Sequence, residues 1–305
     1  MTIEMTGLSG TNPIGFLGAL GVLAIVERQR PDAAARLSWS TGVVPRARLE
    51  GVDDIADLVA VLDDDREQWS DSLLLHGGPT GPPVDDVKVS PEQIRDWFRQ
   101  AQTAPSRQTD RDLAMLDALI AEGALAGKDD AKPSALHFTA GQQKFLVMAR
   151  ELQRSVGPTD LVEAIVGPWK YESPLPVLGW DAKGERIYAL RGFNPSGEKK
   201  LGVPGADWLA FNALPFFPVT KNGGRQRDQL LTTGCGGSWK SGSFRWPIWD
   251  SFLSANAVRS LVRSPALLEE NSAKRRMRSI QRVLRSSIRR SDQGGYGSFG
   301  PASDV

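Results

Sequence analysis

The chain opens on an uncharged apolar stretch, Ile14 to Val26, and such a stretch has few places to go. It falls well short of the roughly 20 residues that a helix needs to cross a bilayer. A secretory leader needs Lys or Arg ahead of it, and the only charge there is Glu4. Thr11 or Asn12 can cap a helix and Pro13 suits its first turn. Phe16, Leu17, Leu20 and Leu23 recur at helical spacing. The expectation is a helix buried within a folded, cytoplasmic protein that makes no membrane contact.

The rest of the composition agrees with a packed body. Of 305 residues, 40% are hydrophobic, enough for a core. One cysteine, Cys235, excludes an internal disulfide framework and fits a reducing compartment. In Gly234-Cys235-Gly236-Gly237 it reads as a small residue in a tight loop rather than a reactive thiol. The net charge of +1 conceals an asymmetry. Residues 1–133 hold 13 Lys or Arg against 22 Asp or Glu, and residues 134–305 hold 24 against 14. This predicts an acidic N-terminal lobe and a basic C-terminal lobe, the latter turned toward a polyanion.

Local patterns predict an α+β fold, mainly α-helical. Arg36–Trp39 reads as a strand, and Asp53–Leu62 as a helix through Ile55, Leu58, Val59 and Leu62. Gly77–Pro83 is a turn-rich linker. Ser90-Pro91-Glu92 starts a helix carrying Trp97 and Phe98. In the second half, a helix runs through Phe145, Leu146, Ala149 and Leu152. Trp180–Tyr188 reads as a hairpin turning at Ala182-Lys183-Gly184. Asp207–Leu214 is a short apolar helix, and Ala273–Arg290 is a long final one.

That final helix is the most informative segment. At 3.6 residues per turn, Arg275, Arg278, Arg282, Arg285 and Arg289 form one stripe. Met277, Ile280, Leu284 and Ile288 form a second, about 130° away. One face can pack on the body while the guanidiniums follow phosphates along roughly 24 Å. Arginine suits phosphate because its planar fork donates two parallel hydrogen bonds and stays charged. No Asp or Glu lies within Lys274–Arg290, so local pairing is unavailable, although an acidic surface elsewhere remains a competing partner.

A second basic constellation surrounds Arg225 and Arg227, and continues through Trp239, Lys240 and Arg245. Glycine lets backbone approach a phosphate, and aromatic and Arg side chains stack on unpaired bases. A hairpin with buried Trp246 and Trp249 reads equally well. Trp239 before Lys240-Ser241 breaks the phosphate-loop pattern, so nucleotide hydrolysis is not expected. The two histidines, His76 and His137, with one cysteine, are poor material for zinc or a Cys-His pair. No Gly-x-Ser-x-Gly follows a plausible strand. Asp181, Glu185 and Asp292 match no recognised magnesium-binding spacing. No catalytic residue, metal or cofactor is therefore expected.

Several runs together resemble a known family: GLSGTNPIGFLGALG from Gly7 to Gly21, HFTAGQQKFL from His137 to Leu146, and LGWD from Leu178 to Asp181. Tyr188–Arg191, Gly205–Ala210 and Arg290–Gly297 add to them. The chain is similar to a type I-G (formerly I-U) CRISPR-associated family, described as an extension of the helicase–nuclease or as a short large-subunit-like protein. The resemblance implies a place in the Cascade surveillance complex, where guide RNA reads sequence and protein reads shape, backbone and a flanking motif. The partners it implies are target DNA, the guide RNA–protein complex and the helicase–nuclease. It carries no residue pattern for DNA contact, so the arginine assignments rest on the residues alone. A protein adaptor docking the helicase–nuclease through the same helix is the alternative, and a metal-dependent nuclease at Asp181 or Asp292 a further one.

Overall fold

In this computed structural model the described residues are 1–77, 83–103, 106–126, 130–184, 201–221, 230–267, 272–291 and 296–305. In chain order the first elements are β1 (Thr2–Ser9), α1 (Pro13–Gln29), β2 (Arg36–Trp39), β3 (Arg46–Glu50) and α2 (Ile55–Gln68). Then come α3 (Leu73–His76), α4 (Pro91–Thr103), α5 (Arg107–Leu119), β4 (Ile120–Ala126) and β5 (Asp130–Pro133). The middle holds α6 (Phe145–Ser155), α7 (Pro158–Val166), α8 (Pro204–Asn212), β6 (Val219–Lys221), β7 (Leu230–Thr232) and β8 (Cys235–Gly237). Last are β9 (Ser241–Trp249), α9 (Ala255–Val262), α10 (Ser272–Arg276), β10 (Ile280–Arg290), β11 (Gly297–Phe299) and β12 (Ser303–Asp304). Every strand pair is antiparallel, so the fold combines α-helices with several antiparallel sheets. No described helix is long and apolar enough to cross a membrane.

Helix α1 is the hub. All its residues from Pro13 to Val26 are buried, which is why its sequence is apolar on every side rather than along one stripe. On one side Phe16 meets Trp39 of β2 at 5.8 Å between ring centres, and Trp246 and Trp249 of β9 at 5.9 and 6.4 Å. On another, Gly21 lies against the Leu209 carbonyl of α8, so closely that a Cβ there would fall 1.8 Å from the oxygen. Glycine is what allows the two helix backbones to touch. Asn12 is the N-cap residue, but its side chain donates to Asp181 instead of capping.

Packing runs across residue 133. Arg28 of α1 grips the fully buried Asp65 of α2 with two hydrogen bonds of 2.8 and 2.7 Å, and reaches Asn212 of α8 at 3.1 Å. Arg259 of α9 pairs with Glu27 at 3.0 Å. Trp246 donates to the Gly10 carbonyl and Trp249 to that of Leu37. One continuous hydrophobic cluster includes residues from Ile3 to Phe299. The 133/134 division therefore marks a change in charge balance, while the core joins the residues on both sides.

The C-terminal segment departs from expectation. The anticipated Ala273–Arg290 helix is a single turn, α10, followed by the eleven-residue strand β10. Ser279, last residue of the turn between them, takes a left-handed backbone angle, φ 60°. From Leu284 to Ile288 burial alternates: Leu284, Ser286 and Ile288 face the core and Arg285 faces out. That period of two belongs to a strand. Two of the apolar positions chosen for a helical stripe, Leu284 and Ile288, are four apart and therefore share one face of a strand as well, while an irregularity in the ladder separates Ile280 from them. The Ala182–Gly184 turn is a short 3-10 turn, Trp180 and Asp181 before it form no strand, and residues 185–188 of the anticipated hairpin lie outside the described residues.

Candidate nucleic-acid interface

The largest sheet runs β11-β10-β9-β8, with β12 also pairing β10. Its inner face carries Phe244 and Trp246 of β9 and Leu284 and Ile288 of β10 into the core. Alternation then sets Ser241, Ser243 and Arg245 on the outer face, with Arg285, Ser287 and Arg289 beside them. Register makes Arg245 the direct cross-strand partner of Arg285, Ser243 of Ser287, and Ser241 of Arg289. Two like charges directly opposite one another disfavour the sheet on their own. The pairing becomes favourable when an anion lies between them.

Arg263, which caps the C-terminus of α9, brings a third guanidinium to the same place. The three arginines line a cleft of about 540 Å³ with Thr233, Gly236, Ser241, Ser243 and Ser264, and among the described residues no acidic side chain lines it. The guanidiniums of Arg245, Arg263 and Arg285 make no hydrogen bond or ion pair with any described residue. Hydroxyls, glycine backbone and unpaired guanidiniums are the groups that hold phosphate oxygens.

The predicted site residues are redistributed by the strand. Arg275 stays on α10 and donates to the backbone carbonyl of Val305. Arg278, in the turn, donates to Ser264 Oγ at 2.7 Å, at the margin of the cleft. Arg282 is engaged elsewhere: it binds both carboxylate oxygens of Asp304 at 2.8 Å and the Val43 carbonyl at 3.0 Å. That hydrogen-bonded pair raises the Arg282 pKa and holds the Asp304 carboxyl below its usual range. The five-arginine helical stripe is therefore corrected. Of its members, Arg285 lines the cleft and Arg289 shares its sheet face, while Arg275, Arg278 and Arg282 serve local contacts.

Trp239 and Lys240 lie between β8 and β9, at the tip of their hairpin. The Trp239 ring rests over the guanidinium of Arg290, whose carbon lies 3.6 Å from the ring centre. Arg290 donates to the carbonyls of His137 and Ala135, both at 2.9 Å, and burial lowers its pKa to about 10, which leaves it charged at neutrality. Arg225 and Arg227 lie outside the described residues. Sequence reasoning missed Arg263 and Arg290. Arg263 comes to the cleft through tertiary packing alone. Arg290 fell off the helical stripe, although strand alternation from Ile288 would have placed it on the inner face.

The residues weighed for catalysis have other contacts. Asp181 accepts from Asn12 Nδ2 and from the Lys183 backbone, both at 2.9 Å; Glu185 and Asp292 lie outside the described residues. His76 contacts Gln153 at 3.2 Å. His137 is buried, its Nε2 2.8 Å from Asp86 and its Nδ1 without a partner, and burial lowers its pKa despite the carboxylate. The Cys235 thiol is pushed up to about 12 by burial, which makes it a weak nucleophile. Among the described residues no group of three or more His, Cys, Asp or Glu side chains is placed to hold a metal ion. No protein-family model matches the chain, and no curated protein matches it.

Proposed function

We propose that this chain is a non-catalytic nucleic-acid-binding subunit of a type I-G CRISPR surveillance complex, holding target DNA on the outer face of its largest sheet. The observation that carries the reading is the cleft of Arg245, Arg263 and Arg285, three guanidiniums with no acidic side chain among the described residues that line it. Phosphate is the abundant cellular group that matches them in charge and in donor geometry. The wider assembly rests on the resemblance of the Gly7–Gly21 and His137–Leu146 runs. There the chain takes a large-subunit-like place, contacts the flanking motif and helps recruit the helicase–nuclease. Arg289 and Lys240 extend the basic surface beyond the cleft.

Charge reversal tests the site. Arg245→Glu with Arg285→Glu should abolish a gel shift with DNA at low salt. Arg282→Ala, which removes a guanidinium already bound to Asp304, should leave the shift in place. Equal loss in both variants overturns the assignment of the cleft. Intact DNA binding in the double variant, with loss of helicase–nuclease capture in a pull-down, would replace it with the adaptor role.

A further inference from the structure

Trp239 is the only tryptophan among the exposed large hydrophobic side chains of the described residues, with 38% of its surface open, whereas Trp39, Trp69, Trp180, Trp208, Trp246 and Trp249 are fully buried. An indole left in water, backed on one face by a cation that two backbone carbonyls hold in place, is a preset stacking platform. A second cavity, of about 300 Å³, opens beside the ring, with Leu231, Thr232 and Lys132 among its walls. Leu231 is itself half exposed there. This cavity includes Gly242, Ile288 and Arg290, which belong to the inner face of the sheet. The arginine cleft belongs to the outer face.

The two cavities meet only at the sheet's edge strand. Cys235, Gly236 and Gly237 of β8 line both. The wall between them is thus one strand wide, about 5 Å, and made largely of glycine. A Cβ added at Gly236, which pairs with Ser243 and so faces the arginine cleft, would find no described atom within 4 Å, so the cleft side of the wall is open among the described residues. Gly237 takes a φ of 88° at the hairpin turn, and a Cβ there would strike the Ser241 carbonyl at 2.6 Å, which keeps this corner bare.

We propose that a single strand of nucleic acid crosses the β8 edge, with its phosphates in the Arg245–Arg263–Arg285 cleft and an unpaired base stacked on Trp239. This deepens the proposed function and rests on it. A duplex could supply the phosphates but not the base, because its ring faces are covered by their neighbours in the stack. Stacking on a bare indole accepts any base, so the strand is held without regard to sequence.

The test is fluorescence anisotropy of the full chain with labelled oligothymidine and with a duplex of equal length, at one low salt concentration. The single strand should bind more tightly. Trp239→Ala should weaken it about tenfold, equivalent to 1.4 kcal/mol, and leave duplex affinity unchanged. Trp239 is exposed, so the variant should fold. Equal affinity for the two forms, with no effect of Trp239→Ala, overturns the crossing path. If Arg245→Glu with Arg285→Glu still weakens both forms in that case, phosphate binding stands without it. Failure of the wild-type chain to bind either form overturns both.

Discussion

A single methyl group placed at two glycines of α1 should have very different effects. At Gly21 the added Cβ would lie 1.8 Å from the Leu209 oxygen and 2.7 Å from its carbonyl carbon, both backbone atoms. At Gly18 the nearest atom is the end of the Leu8 side chain, at 3.0 Å. Alanine gains about 1 kcal/mol over glycine inside a helix at either position. At Gly21 that gain is outweighed, because α1 and α8 must separate by more than 1 Å to restore contact distance. Helix α8 is buried from Pro204 to Asn212 and has no free side to move toward. Overpacking of this kind costs about 1–3 kcal/mol, and more where backbone must shift. We predict a net loss of about 3 kcal/mol for Gly21→Ala, and a change within about 1 kcal/mol for Gly18→Ala. Urea unfolding followed by tryptophan fluorescence measures both. Similar midpoints for the two variants would refute the view that backbone contact between α1 and α8 organises the core.

Two further stability predictions follow from buried charge. Arg28→Met should cost about 3–5 kcal/mol, because it leaves the Asp65 carboxylate buried with only Gln29 to donate to it; a loss below about 1 kcal/mol in urea unfolding contradicts this. Burial depresses the folded-state pKa of His137, so on acidification the unfolded chain takes up its proton first. The stability His137 contributes is complete above its unfolded pKa of 6.5 and drains as pH falls through that value. The slope from His137 approaches about 1.4 kcal/mol per pH unit at most. His76 shifts in the same direction, also through burial, but is more exposed. Denaturation between about pH 7.5 and 5.5 should show a shallower slope in His137→Gln, and an unchanged slope would exclude His137 as the source.

Local order was legible in the sequence. Strand β2 spans the anticipated Arg36–Trp39, and α2, α4, α6 and α8 appear where periodicity and capping residues put them. Ser90, the anticipated capping serine, accepts from the Gln93 backbone at 3.3 Å at the start of α4. The C-terminal strand was not legible, for a specific reason. Residues four apart share a face in both a helix and a regular strand, so Leu284 and Ile288 could not discriminate between the two. Ser286 could have done so only with knowledge of its partner, since its buried hydroxyl donates to the Gly300 carbonyl at 2.6 Å. The cleft was half legible. Arg245 and Arg285 were both singled out, but in separate constellations, because the register that sets them side by side is a property of the folded sheet. Arg282 was drawn to the stripe by its spacing, while its carboxylate partner, Asp304, lies at the chain's far end, where no local rule connects them.

The account depends on Arg245 and Arg285 meeting phosphate, and the salt dependence of DNA binding tests this most directly. Each phosphate contact contributes about 0.9 to the slope of log affinity against log salt on a duplex, and about 0.7 on a single strand. Replacing both arginines with alanine should therefore flatten the slope by roughly 1.4–1.8 while weakening binding at every salt concentration. A slope in the double variant equal to that of the wild type would contradict the assignment.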